Sequence, residues 1–146
     1  MAVKDPRCTV SVAYANNDTA IIKWDFHTCG TQSSFGLALD TASFATTAAM
    51  NKLIHGMKCV FAVTDPGSQV TCSSYSIGIK DSFGCDIFGG KLAGLSSAAT
   101  QQIQPGESVR SSGVFAIGRF VHTGLKISGG AISTLATGSV RLYFQR

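Results

Sequence analysis

Acidic side chains are scarce in this chain: there are eight against twelve lysines and arginines, and Glu107 is the single glutamate among 146 residues. Charged residues of either sign make up 14% of the sequence and hydrophobic ones 45%, which excludes the high-charge, low-hydropathy balance of a disordered chain. Proline occurs three times and tryptophan once. No run approaches about 18 consecutive apolar residues, so no membrane-spanning helix is expected. No internal repeat and no interdomain linker divides the chain, and its length suits one domain. The start, Met1-Ala2-Val3-Lys4-Asp5-Pro6-Arg7, has no apolar stretch after its charges and does not read as a secretory signal.

What is abundant is small and hydroxylated: 16 glycines and 30 serines plus threonines. These rank low in helix propensity, and the glutamate that usually coats helix surfaces is nearly missing, so the composition favours short strands joined by tight turns. Folding a chain of this length buries roughly 68–70% of its unfolded surface, so its core requires neither a disulfide nor a metal.

The net charge is +4, but the cations are spread along the whole chain. The densest local group is Lys52 and Lys58 around His55. Nucleic-acid binders gather cations into a stripe or arm with aromatic residues between them, so nucleic acid is not an expected partner, and neither is a membrane. A surface of Ser, Thr, Gly and Ala is instead one that neighbours in an assembly cover with little charge desolvation.

Period-two alternation is the clearest pattern. In Cys8–Tyr14 the even positions are apolar; Asn16-Asn17-Asp18 then predicts a turn, and Ile22, Trp24 and Phe26 point inward with Lys23, Asp25 and His27 outward. Phe35, Leu37 and Leu39 repeat the period, and Ser43 to Met57 is the one stretch suited to a helical turn or two. Lys58 to Thr64 predicts a strand with Cys59, Phe61 and Val63 on one side, stopped by Asp65-Pro66-Gly67. Tyr75, Ile77 and Ile79 mark another, followed by a long Gly-rich connection with a short strand around Gln101 to Ile103. Val114 to Val121 reads as a strand interrupted by Gly118; Leu125 and Ile127, then Ile132 and Leu135, lead to a last strand with Val140, Leu142 and Phe144 inward. Seven to nine short strands without βαβ alternation predict an all-β fold, a single antiparallel β-sandwich of jelly-roll kind with at most one short helix.

Motifs for catalysis or cofactors do not assemble in the sequence. The histidines His27, His55 and His122 share no metal-ligand spacing. Cys59, Cys72 and Cys85 recur at 13-residue steps, but no fourth zinc ligand is specified. The segment Cys85–Leu92 departs from a phosphate loop at both ends, with Cys85 where the first glycine belongs and Leu92 where the magnesium-binding hydroxyl belongs. No pair among the scattered acids marks a glycosidase. An enzyme is not expected, and no metal or cofactor is expected.

Cysteine is the chemical feature that stands out, because five is an odd number. Cys8 shares a face with Val10 and Val12, and Cys59 sides with Phe61 and Val63, as buried thiols do. Cys29 falls in phase with Lys23, Asp25 and His27 on the outward face, while Cys72 and Cys85 sit in polar or Gly-rich loops. Exposed thiols near a subunit boundary cross-link once the surroundings become oxidising, so these are candidates for inter-subunit disulfides.

Ser74-Tyr75-Ser76-Ile77-Gly78-Ile79, then Asp86-Ile87-Phe88, then Thr134 to Phe144 through the Gly138 turn, resemble small structural proteins of tailed bacteriophages. The likeness covers about the last half of the chain, with weaker support from Lys58 to Thr64. The sequence departs from that group in its cysteines and in Ala136-Thr137. The resemblance implies a non-enzymatic virion component made in the bacterial host cytoplasm. The expected role is a capsid decoration or linking protein that binds the major capsid protein lattice, as a homo-oligomer with a trimer as first guess. The alternatives are a collar or tail-appendage subunit, or a small jelly-roll carbohydrate-binding module, for which an exposed Trp24 beside Lys23 and Asp25 would speak. On this reading residues 1–9 form an N-terminal arm reaching a neighbour and 10–146 the sandwich, and Cys8 joins Cys29, Cys72 and Cys85 as a cross-linking candidate that oxidises after lysis.

Overall fold

The structure is a computed structural model that describes residues 7–27, 45–67, 74–109, 113–116, 119–130 and 137–146. In chain order the elements begin with β1 (Arg7–Ala15), β2 (Thr19–His27), the helix α1 (Ala48–Ile54), β3 (Lys58–Asp65) and β4 (Ser74–Lys80). They continue with β5 (Leu95–Ser96), β6 (Gln101–Ile103), β7 (Gly106–Val109), β8 (Gly113–Ala116), β9 (Arg119–Phe120), β10 (Lys126–Gly130) and β11 (Thr137–Gln145).

The larger sheet runs β1-β2-β11-β3-β6, with β9 paired to the start of β3; the smaller runs β10-β4-β5, and β7 and β8 form a separate ribbon. Every pairing between these strands is antiparallel. The two sheets bury their facing sides in one core: Ile22, Trp24 and Phe26 of β2 and Val140, Leu142 and Phe144 of β11 meet Tyr75 and Ile79 of β4 and Ile127 of β10. The fold is therefore an all-β sandwich with one short helix. Each of these large side chains removed from water contributes about 1.5–3 kcal/mol before entropy is counted.

The turns form where their chemistry predicts. Asn16 Oδ1 accepts the backbone N–H groups of Asp18 and Thr19 at 2.9 and 2.7 Å and closes the β1–β2 hairpin. After β3, Asp65 Oδ1 accepts the N–H of Gly67 at 3.0 Å, and Gly67 takes φ 75°, a conformation that favours glycine. The helix lies within the expected stretch, capped by Thr47, whose hydroxyl accepts the Met50 N–H at 3.4 Å. Ile54 carries its apolar face into the core, with Met50 and Leu53 partly buried beside it.

Two β-bulges shift the alternation that the sequence implies. Tyr143 pairs with Phe61 but Phe144 with Cys59, so Val60 is the extra residue. Cys59 consequently faces the core with Ala62 and Thr64, while Phe61 and Val63 turn to the other face and do not side with it. In β1, Val12 pairs with Ile22 and Tyr14 with Ile21, so Ala13 is extra and Tyr14 leaves the face of Cys8, Val10 and Val12. Of the expected arm at residues 1–9, Arg7 to Thr9 lie in β1, where Cys8 pairs with Phe26, and residues 1–6 lie outside the described residues.

Eleven strands are present among the described residues, more than the seven to nine predicted, because two-residue pairings such as β5 and β9 are too short to alternate. The patterns at Phe35, Leu37 and Leu39, at Gly118, and at Ile132 and Leu135 lie outside the described residues.

Candidate functional site

The cysteines divide by depth. Cys8 is 1% exposed, and burial, aided by the Asp25 charge, pushes its thiol up to about 12. Cys59 is fully buried and is pushed up to about 12 by burial. A buried thiol that keeps its proton reacts slowly, so of the described cysteines named as cross-linking candidates Cys85 is the exposed one. Cys85 is exposed in the loop after β4, where its N–H donates to Asp81 Oδ1 at 2.9 Å. Cys29 and Cys72 lie outside the described residues.

Strand β1 is the edge of the larger sheet, and among the described residues it pairs only with β2. Across its nine residues the only charge is Arg7. Val12 and Tyr14 stand 42% and 51% exposed on it. The face of the sheet turned away from the core carries Ile21, Val63, Phe61 and Tyr143, all half-buried. Phe61 and Tyr143 stack with ring centroids 4.2 Å apart, and Lys23 bridges Asp25 at 3.0 Å. Trp24, in contrast, is fully buried, so the exposed tryptophan that would speak for a sugar site is not present.

A cleft of about 680 Å³ opens between the segment leading into α1 and the ends of β4 and β10. Three groups build its wall. Thr46 is buried, donates through Oγ1 to Asn51 Oδ1, and accepts the Leu125 N–H at 2.9 Å, which ties α1 to β10. Lys80 and Lys126 are direct cross-strand partners, both exposed, and both line the cleft. Asp81 also lines it, but its carboxylate oxygen already accepts the N–H groups of Phe83 and Cys85, each at 2.9 Å.

A smaller hollow of about 430 Å³ shares Asn51 and Gly124 with this cleft and adds Lys52, His55 and His122. Backbone hydrogen bonds hold its two sides together: Gly56 N–H donates to Val121 O at 2.7 Å, and Val121 N–H to Met57 O at 2.9 Å. His55 and His122 meet edge to face at 5.6 Å, and His122 lies within 22° of parallel to Phe120 at 6.4 Å. Phe120 is 64% exposed and sits opposite Lys58 in the pairing of β9 with β3. Sequence reading grouped Lys52, His55 and Lys58, weighed His122 only as a metal ligand, and did not single out Phe120. Their signal was the alternation around buried Val121, which turns both neighbours outward.

Among the described residues, no three His, Cys, Asp or Glu side chains gather as a metal site would require. The segment Cys85–Leu92 forms turns, in which Asp86 accepts the N–H groups of Phe88 and Gly90. No model of a known protein family and no curated protein matches the chain.

Proposed function

We propose that this protein is a non-enzymatic structural subunit that works by assembling with copies of itself and with neighbouring virion proteins, as a decoration or linking protein on a capsid lattice. The observation that supports this reading most is the position of β1 at the margin of the larger sheet, where among the described residues it pairs only with β2. Nine residues of backbone there lie at the sheet margin beside exposed Val12 and Tyr14. Edge strands of proteins that remain monomeric are usually blunted by lysine, proline or a covering element, and β1 contains neither residue. A strand from a second copy adds to such an edge through main-chain hydrogen bonds, with Val12 and Tyr14 supplying apolar contact. The exposed Cys85 gives the assembled form a thiol available for cross-linking after oxidation.

Native mass measurement across a concentration series tests the reading. Wild-type protein is expected as a discrete oligomer at micromolar concentration, and the Val12→Lys, Tyr14→Lys double variant as a folded monomer. A wild-type chain that stays monomeric throughout overturns assembly. Peptide mapping of purified virus particles then tests the virion assignment, which fails if the chain is missing from them.

A further inference from the structure

We propose that the cleft at Lys80 and Lys126, together with the adjoining hollow at His55 and His122, binds single-stranded nucleic acid. The proposal does not depend on the assembly reading. Its basis is a juxtaposition made by the fold: Lys80 of β4 and Lys126 of β10 line the cleft, Lys52 of α1 and His122 line the hollow beside it, and Phe120 of β9 lies against His122 and opposite Lys58 of β3.

Charge is the first argument. Lys80 and Lys126 stand directly opposite each other on paired strands, an arrangement that is unfavourable between like charges unless an anion lies between them. Lys52 lines the adjoining hollow, and Lys58 is the strand partner of Phe120, whose ring lies near His122 of that hollow. The lining acid is Asp81, whose carboxylate is engaged by two backbone N–H groups; Asp86, bridged to Lys80 through the backbone, is likewise engaged by Phe88 and Gly90. Phosphates spaced along a strand match this distribution.

Shape is the second. Phe120 and His122 present two near-parallel rings on the exposed side of their segment, with the Phe120 ring largely open to solvent. Exposed rings beside cations form a platform on which unpaired bases stack, whereas a duplex keeps its bases inside and offers them nothing to stack on. Gly84 lines the cleft with open space where a side chain would stand, and lets a sugar-phosphate backbone approach closely. An acidic protein segment would satisfy the lysines but would leave the rings unused, and for that reason nucleic acid is the better fit.

Fluorescence anisotropy with a labelled single strand of about 12 nucleotides, titrated with the full chain over a range of salt, tests the proposal. Phe120→Ala is expected to weaken binding roughly 5- to 100-fold, as for loss of one stacked base, and Phe120→Tyr to retain it. The Lys80→Ala, Lys126→Ala double variant is expected to lower the salt slope by about 1.4, two phosphate contacts' worth. Lys23→Ala, on the opposite face of the larger sheet, is expected to change neither. All four positions are partly or well exposed, and thermal melts confirm that each variant folds. Absence of binding at low salt, equal binding of duplex, or competition by polyglutamate as strong as that by unlabelled strand overturns the proposal; the last outcome assigns the groove to an acidic protein partner.

Discussion

At the scale of single residues, Gly138 shows how little tolerance the packing has. Gly138 lies opposite Phe26, and a Cβ at this position would overlap the Phe26 ring and come within 2.9 Å of the Asp65 carbonyl oxygen. The aromatic ring occupies the space that glycine leaves empty, so Gly138→Ala is expected to cost about 1–3 kcal/mol, read as a lower urea midpoint. The buried thiols make a second prediction. Because Cys8 and Cys59 keep their protons up to about 12 in the folded chain against 9.0 without burial, the folded state binds more protons in that interval. Their contribution to stability is complete below about pH 9 and is lost as pH rises towards 12, at up to about 1.4 kcal/mol per pH unit for each thiol. Urea unfolding at stepped alkaline pH should show this slope, and the Cys8→Ala, Cys59→Ala double variant should flatten it. Peptide mapping after mild alkylation should find Cys85 modified and both buried thiols protected until the chain unfolds.

At the scale of elements, the two bulges decide which residues face solvent. Without the extra Val60, strict alternation would keep Phe61 and Val63 on the side of Cys59; with it they join Tyr143 and Ile21 on the outer face. A bulge leaves no mark in a hydrophobicity pattern when its residues are apolar on both sides, as in Val60-Phe61-Ala62. The helix depends on a different device. Thr46 precedes its cap and joins it to β10 through one hydroxyl that serves both Asn51 and Leu125. Thr46→Val preserves shape but leaves the Leu125 N–H without this acceptor, and is expected to cost about 1–3 kcal/mol. Faster hydrogen exchange at the Leu125 amide should accompany it, since the junction would open before the sheets do.

At the scale of the whole molecule, two surfaces have separate physical characters. The β1 edge is backbone-rich and almost uncharged, suited to strand addition by another chain. The cleft between α1, β4 and β10 carries Lys80 and Lys126, and the hollow beside it Lys52, His55 and His122. The scarcity of acids contributes to both, because few carboxylates oppose a partner at the edge or neutralise lysines in the groove. The cations scattered in the linear sequence are partly regrouped by the fold, which sets Lys80 opposite Lys126 in the cleft and Lys52 in the hollow beside it.

The sequence by itself determined the fold class, the hairpin turn at Asn16, the place of the helix, and the inward sides of β2, β4 and β11. These follow from local causes: the two-residue period of strands, the side-chain hydrogen bonds of Asn and Asp, and the poor helix propensity of Ser, Thr and Gly. Burial of Trp24 was legible in the same way. Only the tertiary structure decided that Cys8 is buried, paired with Phe26 across the β1–β2 hairpin. It also decided that Lys80 faces Lys126 and that Phe120 and His122 stand beside His55. Pairings between strands some 40 to 60 residues apart depend on the summed packing of the whole core, and no single segment carries that information.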